Sequence, residues 1–214
     1  MRVGCDLPYF EDPGAIREFA VGVEEIGYHH LGFSEHVVTG RGTSYPANFA
    51  SNDPWHESFT LLGFLAAITT RIELNPAMVL LTLRPAVLAA KQAAEIDLLS
   101  GGRLRLAASV GWNREEIRAH NIDPATRAAL FEEQIVVMRA LWTTESVDFA
   151  GTHHQLDGAS LHPRPKRLIP IWMGAGNFGT GGVPSDKVPT AWLASPTGTR
   201  CSLHFRSISM PVEL

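Results

Sequence analysis

The residues with the clearest capacity for chemistry are Glu35 and His36, an acid and an imidazole that close an apolar run over 28–34. Histidine, with an ordinary pKa of about 6.5, can give or take a proton near neutral pH. On pattern alone His36 is equally an ordinary loop histidine. A second cluster is Ser109-Val110-Gly111, followed by Asn113 and, three residues on, Glu116. Asparagine followed by glutamate at that spacing reads as a capping box at a helix start. A hydroxyl and backbone amides at such a helix start suit an anion, although a plain tight turn has the same sequence. A third cluster, Gly174-Ala175-Gly176-Asn177-Phe178-Gly179, satisfies G-x-G-x-x-G after an apolar run. A dinucleotide fingerprint also needs a following helix and an acid about 20 residues on. Thr180-Gly181-Gly182-Val183-Pro184 cannot be that helix and 195–198 supply no acid, so a nicotinamide site is rejected.

Other chemistries fail at the motif level. His29-His30, His56 and His153-His154 have no H-E-x-x-H spacing, and Cys5 and Cys201 form no Cys–His pattern, so no metal site is expected. Cys5 reads as a buried free thiol. No G-x-S-x-G elbow or phosphate-binding GK[ST] loop is present.

Alternating strands and helices must position these groups. Residues 2–7 form a first strand, and Asp12-Pro13 then supplies a helix cap with proline at the first helical position. Ile16, Phe19, Ala20, Val23 and Ile26 recur at helical spacing until Gly27 ends the helix. Strands follow over 28–34, 72–81, 104–110 and 169–173, the second of these nearly continuous in apolar residues, as for a strand buried on both faces. Helices are predicted after Asp53-Pro54, with Trp55, Phe59, Leu62 and Ala66 on one face, and after Pro85, with Val87, Ala90, Ala94 and Leu98 inward until Ser100-Gly101-Gly102. A longer helix follows Asn113, with Phe131, Ile135, Met138 and Trp142 on its buried side, and a hairpin spans 147–156. Such alternation implies a parallel sheet with helical crossovers, either an open doubly wound sheet or a (β/α) barrel.

The chain has 214 residues, 45% hydrophobic and 19% charged, and a formal net charge of −4. That balance offers no basic footprint for nucleic acid or an anionic membrane. The amino terminus lacks the long apolar core of a signal peptide and no stretch is long enough to span a bilayer, so a cytoplasmic protein is expected. The strand–helix rhythm stops near Gly176. Residues 177–214 are rich in Gly, Pro, Ser and Thr without sustained periodicity and are expected to form an irregular tail, favouring a reading frame or gene boundary that departs from the ancestral sequence there.

Several ordered blocks carry a family pattern: Gly32-Phe33-Ser34-Glu35-His36, Ala89-Ala90-Lys91-Gln92-Ala93-Ala94-Glu95-Ile96-Asp97, Gly101-Gly102-Arg103-Leu104-Arg105-Leu106, Gly111-Trp112-Asn113-Arg114-Glu115-Glu116, Phe131-Glu132-Glu133-Gln134, Arg139-Ala140-Leu141-Trp142 and Ile169-Pro170-Ile171-Trp172. Together, over about residues 1–175, they resemble the luciferase-like monooxygenase superfamily, in its probable F420-dependent oxidoreductase branch. The resemblance implies a TIM-type (β/α) barrel rather than an open sheet, incomplete at about five of eight βα units, with a domain over 1–176 and an off-family tail over 177–214.

The resemblance also implies roles. It makes His36 the catalytic acid or base and places Glu35 near the coenzyme. It puts a non-proline cis peptide at Ala77-Met78, a bulge backing the coenzyme ring, where the pattern alone shows ordinary strand core. Ser109, Val110, Gly111 and the strand-end Gly174 complete the cofactor contacts. Sugar-phosphate dehydrogenases of the superfamily carry a glutamate where this chain has Trp112, which points to an apolar or aromatic substrate surface instead. The implied activity is F420-dependent hydride transfer to or from a small organic substrate, in an enzyme expected to form a homodimer. An FMN-dependent monooxygenase using O2 is the alternative within the fold, and a truncated, non-catalytic remnant is the alternative outside it.

Overall fold

In a computed structural model of the chain, residues 2–39 and 52–173 are described. Strand β1 (Gly4–Asp6) leads to helix α1 (Pro13–Ile26), β2 (His30–Phe33), α2 (Ser58–Ile68), β3 (Glu73–Pro76), β4 (Val79–Leu80), α3 (Ala86–Leu99) and β5 (Leu106–Ser109). A short α4 (Arg114–Ala119), a long α5 (Arg127–Thr143), the hairpin β6 (Val147–Ala150) and β7 (Gln155–Ala159), and β8 (Ile171–Met173) follow.

The described strands other than the hairpin run parallel. β1, β2 and β3 pair in that order, as do β4, β5 and β8, and a parallel bridge between Leu74 and Leu104 joins the two groups. Neighbours in space are therefore neighbours in sequence, with helices crossing on one face. This is the arc of a (β/α) barrel, whose working end lies at the carboxyl ends of the strands.

Local chemistry accounts for most boundaries. The Asp12 carboxylate accepts the Ala15 amide at 2.8 Å, and Gly27 closes α1 with a left-handed φ of 100°. Leu31, Leu62, Leu65, Ile72, Leu74, Leu106, Met138 and Leu141 form the core between sheet and helices. The α3 face is built from alanines (Ala86, Ala89, Ala90, Ala93 and Ala94), which lets α5 approach closely enough for the Trp142 indole to donate to the Ala90 carbonyl at 2.9 Å. Val87, expected inward, is exposed because that small-residue stripe sets the buried face, and Ile26 is likewise exposed at the end of α1.

Other expectations are corrected. The helix predicted after Asp53-Pro54 starts at Ser58, because Glu57 rather than Asp53 caps it, accepting the Phe59 and Thr60 amides. The single strand expected over 72–81 is two, broken at Ala77-Met78, whose peptide bond is cis. The helix expected from Asn113 is split into α4 and α5 by a turn in which Asn121 takes a positive φ of 59°. Cys5 is half-buried, and its thiol is pushed up to about 11 by burial and by neighbouring Asp6, which makes it a poor nucleophile. Cys201, the tail over 177–214 and the G-x-G-x-x-G cluster lie outside the described residues. Among the described residues, no helix is long and apolar enough to cross a membrane, and no group of three or more His, Cys, Asp or Glu is placed to hold a metal ion.

Candidate active site

β2 ends at Phe33, and Glu35 and His36 lie on the segment that follows it, with different partners. Glu35 is turned into the protein, with no side-chain exposure. Its carboxylate accepts the Ser58 amide at 2.8 Å, the Leu80 amide at 2.8 Å and a two-pronged Arg84 guanidinium. Arg84 also binds Glu57, and burial, which opposes its charge, is outweighed by the two carboxylates that raise its pKa. Glu35, expected near the coenzyme, has an enclosed carboxylate whose oxygens are engaged by these partners. It ties the end of β2 to the start of α2 and to β4.

His36 faces the mouth. Its Nδ1 lies 2.8 Å from Glu116 Oε2, and its ring meets Trp55 and Trp112 edge-on at centroid distances of 4.7 and 5.5 Å. The other oxygen of Glu116 accepts the Val37 amide at 2.6 Å and the Val38 amide at 3.3 Å. Glu116 itself is 1% exposed. Half of the expected capping box is present: Asn113 Oδ1 accepts the Glu115 and Glu116 amides, at 3.1 and 3.3 Å. The glutamate does not reach back, because its carboxylate belongs to His36. Sequence reasoning missed Glu116 as a site residue. The signal was present as a buried acid one turn into a helix at a strand's carboxyl end, but capping explained it equally well. Beside this group a cavity of about 510 Å³ is lined by His36, Val37, Val38, Thr39, Asp53, Pro54 and Trp55.

Inward of His36, Ser34 Oγ donates to the Ala77 carbonyl at 3.3 Å and the Ala77 amide donates to Phe33 at 2.7 Å, so the cis peptide lies directly beside the end of β2. Asp6, Gly32 and Asn75 stand side by side in register across β1, β2 and β3. A Cβ on Gly32 would come within 2.4 Å of Asp6 Oδ1 and 3.2 Å of the Asn75 carbonyl, so glycine leaves room for the Asp6 carboxyl there. Burial pushes that carboxyl up from its ordinary range. Tyr9 is pushed up to about 12 by burial and by Asp53 and Asp6, against a hydrogen bond with Ser34. Asn75 Oδ1 is buried without a hydrogen-bond partner among the described residues.

Ser109 ends β5 beside Leu80, Val110 accepts the Thr82 hydroxyl at 3.0 Å, and Gly111 turns the chain at a φ of 74°. The anion cradle expected at 109–111 loses two of its helix amides, Glu115 and Glu116, to Asn113. The segment reaches the site through Trp112 and Glu116 instead. Gly174 lies outside the described residues.

Residues 1–180 match the family described as luciferase-like monooxygenase. The chain belongs to that family. Pyrimidine monooxygenase RutA of Allorhizobium ampelinum is 34% identical over 180 residues, covering 82% of this chain and 46% of the relative. Monooxygenase RslO1 from Streptomyces bottropensis superposes with a TM-score of 0.67 at 25% identity, over 81% of this chain and 53% of that one. An F420-dependent secondary alcohol dehydrogenase, solved with an F420–acetone adduct, superposes with a TM-score of 0.66 at 19% identity, over 81% of this chain and 52% of that one. The chain spans about half the length of the curated relatives it matches.

For a luciferase-like protein the fit of a flat flavin-type ring can be tested on this inner face. Gly32 carries no side chain there, beside Asp6 and Asn75. The orphaned Asn75 Oδ1 is an acceptor suited to a ring N–H, and the cis Ala77-Met78 peptide follows it closely along the chain. The residues present fit the ring.

Proposed function

We propose that this chain carries the ring-binding and proton-handling half of an oxidoreductase site that uses a reduced flavin-type coenzyme. The observation that carries the reading is the buried His36–Glu116 pair, set at the carboxyl ends of parallel strands next to the Ala77-Met78 bulge. Gly32, Asn75, Ala77 and Met78 would hold the ring. When bound, the reduced ring would supply two electrons to the reaction. His36 gives or takes the accompanying proton at the imidazole. Trp55 and Trp112 pack edge-on against the ring of His36.

Oxygen-dependent monooxygenation with FMN is the first reading, supported by a relative and a solved structure that are both named monooxygenases. F420-dependent hydride transfer to or from a small organic substrate is the second, favoured by the Gly32-Phe33-Ser34-Glu35-His36 block. The test is titration of the full chain with FMN and with F420, following tryptophan quenching and the pigment band. Saturable binding of one coenzyme is expected. With that coenzyme and its matching substrate, His36→Asn should lower turnover by about 10²–10⁴-fold while leaving coenzyme binding in place. Saturation by neither coenzyme would overturn the proposal.

A further inference from the structure

We propose that Glu116 is a positioning residue that fixes the tautomer of His36, making Nε2 the nitrogen that exchanges the proton. Oε1 of Glu116 accepts two backbone amides, Val37 at 2.6 Å and Val38 at 3.3 Å, so it faces donors. The carboxylate has no hydrogen to offer on its other oxygen, and Oε2 stands 2.8 Å from His36 Nδ1. Of the two ring nitrogens, Nδ1 must therefore carry the hydrogen, and in the neutral ring the lone pair resides on Nε2. Both partners are buried, at 7% and 1% exposure, so water does not readily substitute for either group. Asn113 anchors Glu116 through its backbone amide, and the edge-on contacts of Trp55 and Trp112 limit rotation of the imidazole. A carboxylate behind a histidine that sets both its orientation and its tautomer is a recurrent arrangement in metal and hydrolase sites. Here it would serve a redox site of the kind proposed above, and only the turnover arm of the test rests on that reading.

The arrangement makes an unusual prediction for Glu116→Gln. The amide oxygen of the glutamine must face the Val37 and Val38 amides, since its NH₂ group would set donors against donors. The NH₂ group then faces His36 and donates to Nδ1. Nδ1 becomes an acceptor, the ring hydrogen moves to Nε2, and the tautomer inverts with little change of shape.

Long-range ¹⁵N–¹H correlation of the histidine rings, in the full chain at a pH where the His36 ring is neutral, reads this directly; His36→Gln assigns the signal. The wild type is expected to show the Nδ1–H tautomer and Glu116→Gln the Nε2–H tautomer. With the coenzyme bound, turnover of Glu116→Gln should fall about 10²–10⁴-fold with KM little changed. An Nε2–H tautomer in the wild type overturns the proposal without reference to any variant. So does a Glu116→Gln spectrum with the wild-type tautomer. If neither coenzyme binds, the functional reading fails while the spectra still decide this one.

Discussion

Replacing Arg84 with methionine separates a structural role for Glu35 from a coenzyme-binding one. Arg84 gives Glu35 both prongs of its guanidinium, holds the Leu80 carbonyl at 3.0 Å and reaches Glu57 at 2.6 Å. Methionine fills much of the same volume and keeps the stem packed, so the principal loss is the charge. Glu35 would then be an enclosed carboxylate with only the Ser58 and Leu80 amides to answer it. Removing one partner of a buried pair costs about 3–5 kcal/mol, because the remaining charge stays desolvated. That is a large fraction of the roughly 5–15 kcal/mol that holds a typical domain together. Urea denaturation at neutral pH measures it, with Glu35→Gln and the double variant completing a cycle. The double variant should be more stable than Arg84→Met alone, since it removes the stranded charge. If Arg84→Met lowers stability by less than about 1 kcal/mol, Glu35 is not held as described, and its carboxylate would again be a candidate coenzyme ligand.

Two more predictions follow from the same kind of local chemistry. Burial alone would raise the Glu24 carboxyl, but the Ile72, Arg71 and Thr70 amides and the Thr70 hydroxyl overcome this and hold it at about 2. A carboxyl depressed in the folded state stabilises above its unfolded pKa, and that contribution is lost as pH falls through the folded value. From the ordinary value of 4.5 to about 2 the contribution is at most about 3 kcal/mol; Glu24→Gln should lose it at neutral pH and show a flatter stability curve between those two pH values, and an unchanged acid limb would refute the assignment. Gly32→Ala places a Cβ 2.4 Å from Asp6 Oδ1 and 3.2 Å from the Asn75 carbonyl; it should cost about 1–3 kcal/mol by denaturation and weaken coenzyme binding by more than a distant variant of equal instability does.

The strand–helix order was legible because its punctuation is local. Asp12, Gly27 and Ser100-Gly101-Gly102 act within a turn of where they stand, and the apolar periods around them are unambiguous. The break at Ala77-Met78 is invisible to periodicity, since both sides are apolar; only the family pattern placed it. Capping was misassigned at Asp53 because Glu57, four residues on, has Arg84 to hold its carboxylate in place, and no local rule sees an arginine 27 residues away. Glu116 was hidden for the same reason. Its partner lies 80 residues back along the chain, while a capping role offered a sufficient local explanation.

The placing of Glu35 and of Glu116 depends on one geometric fact. Glu35 and His36 are adjacent just beyond β2, yet Glu35 meets Ser58, Leu80 and Arg84 while His36 meets Glu116. A shift of one residue in the register of β2 would exchange them, setting the imidazole among the partners of Glu35 and the carboxylate beside Glu116. The hydrophobic pattern of β2 resists that shift only through Leu31 and Phe33, a short stretch in a four-residue strand. The Arg84–Glu35 pair, with the Ser58 and Leu80 amides, adds a polar lock that only one register satisfies. The enclosed ion pair is thus what delivers His36 to Glu116. A protein that lost the Arg84 contact yet kept the wild-type His36 tautomer would break that causal link.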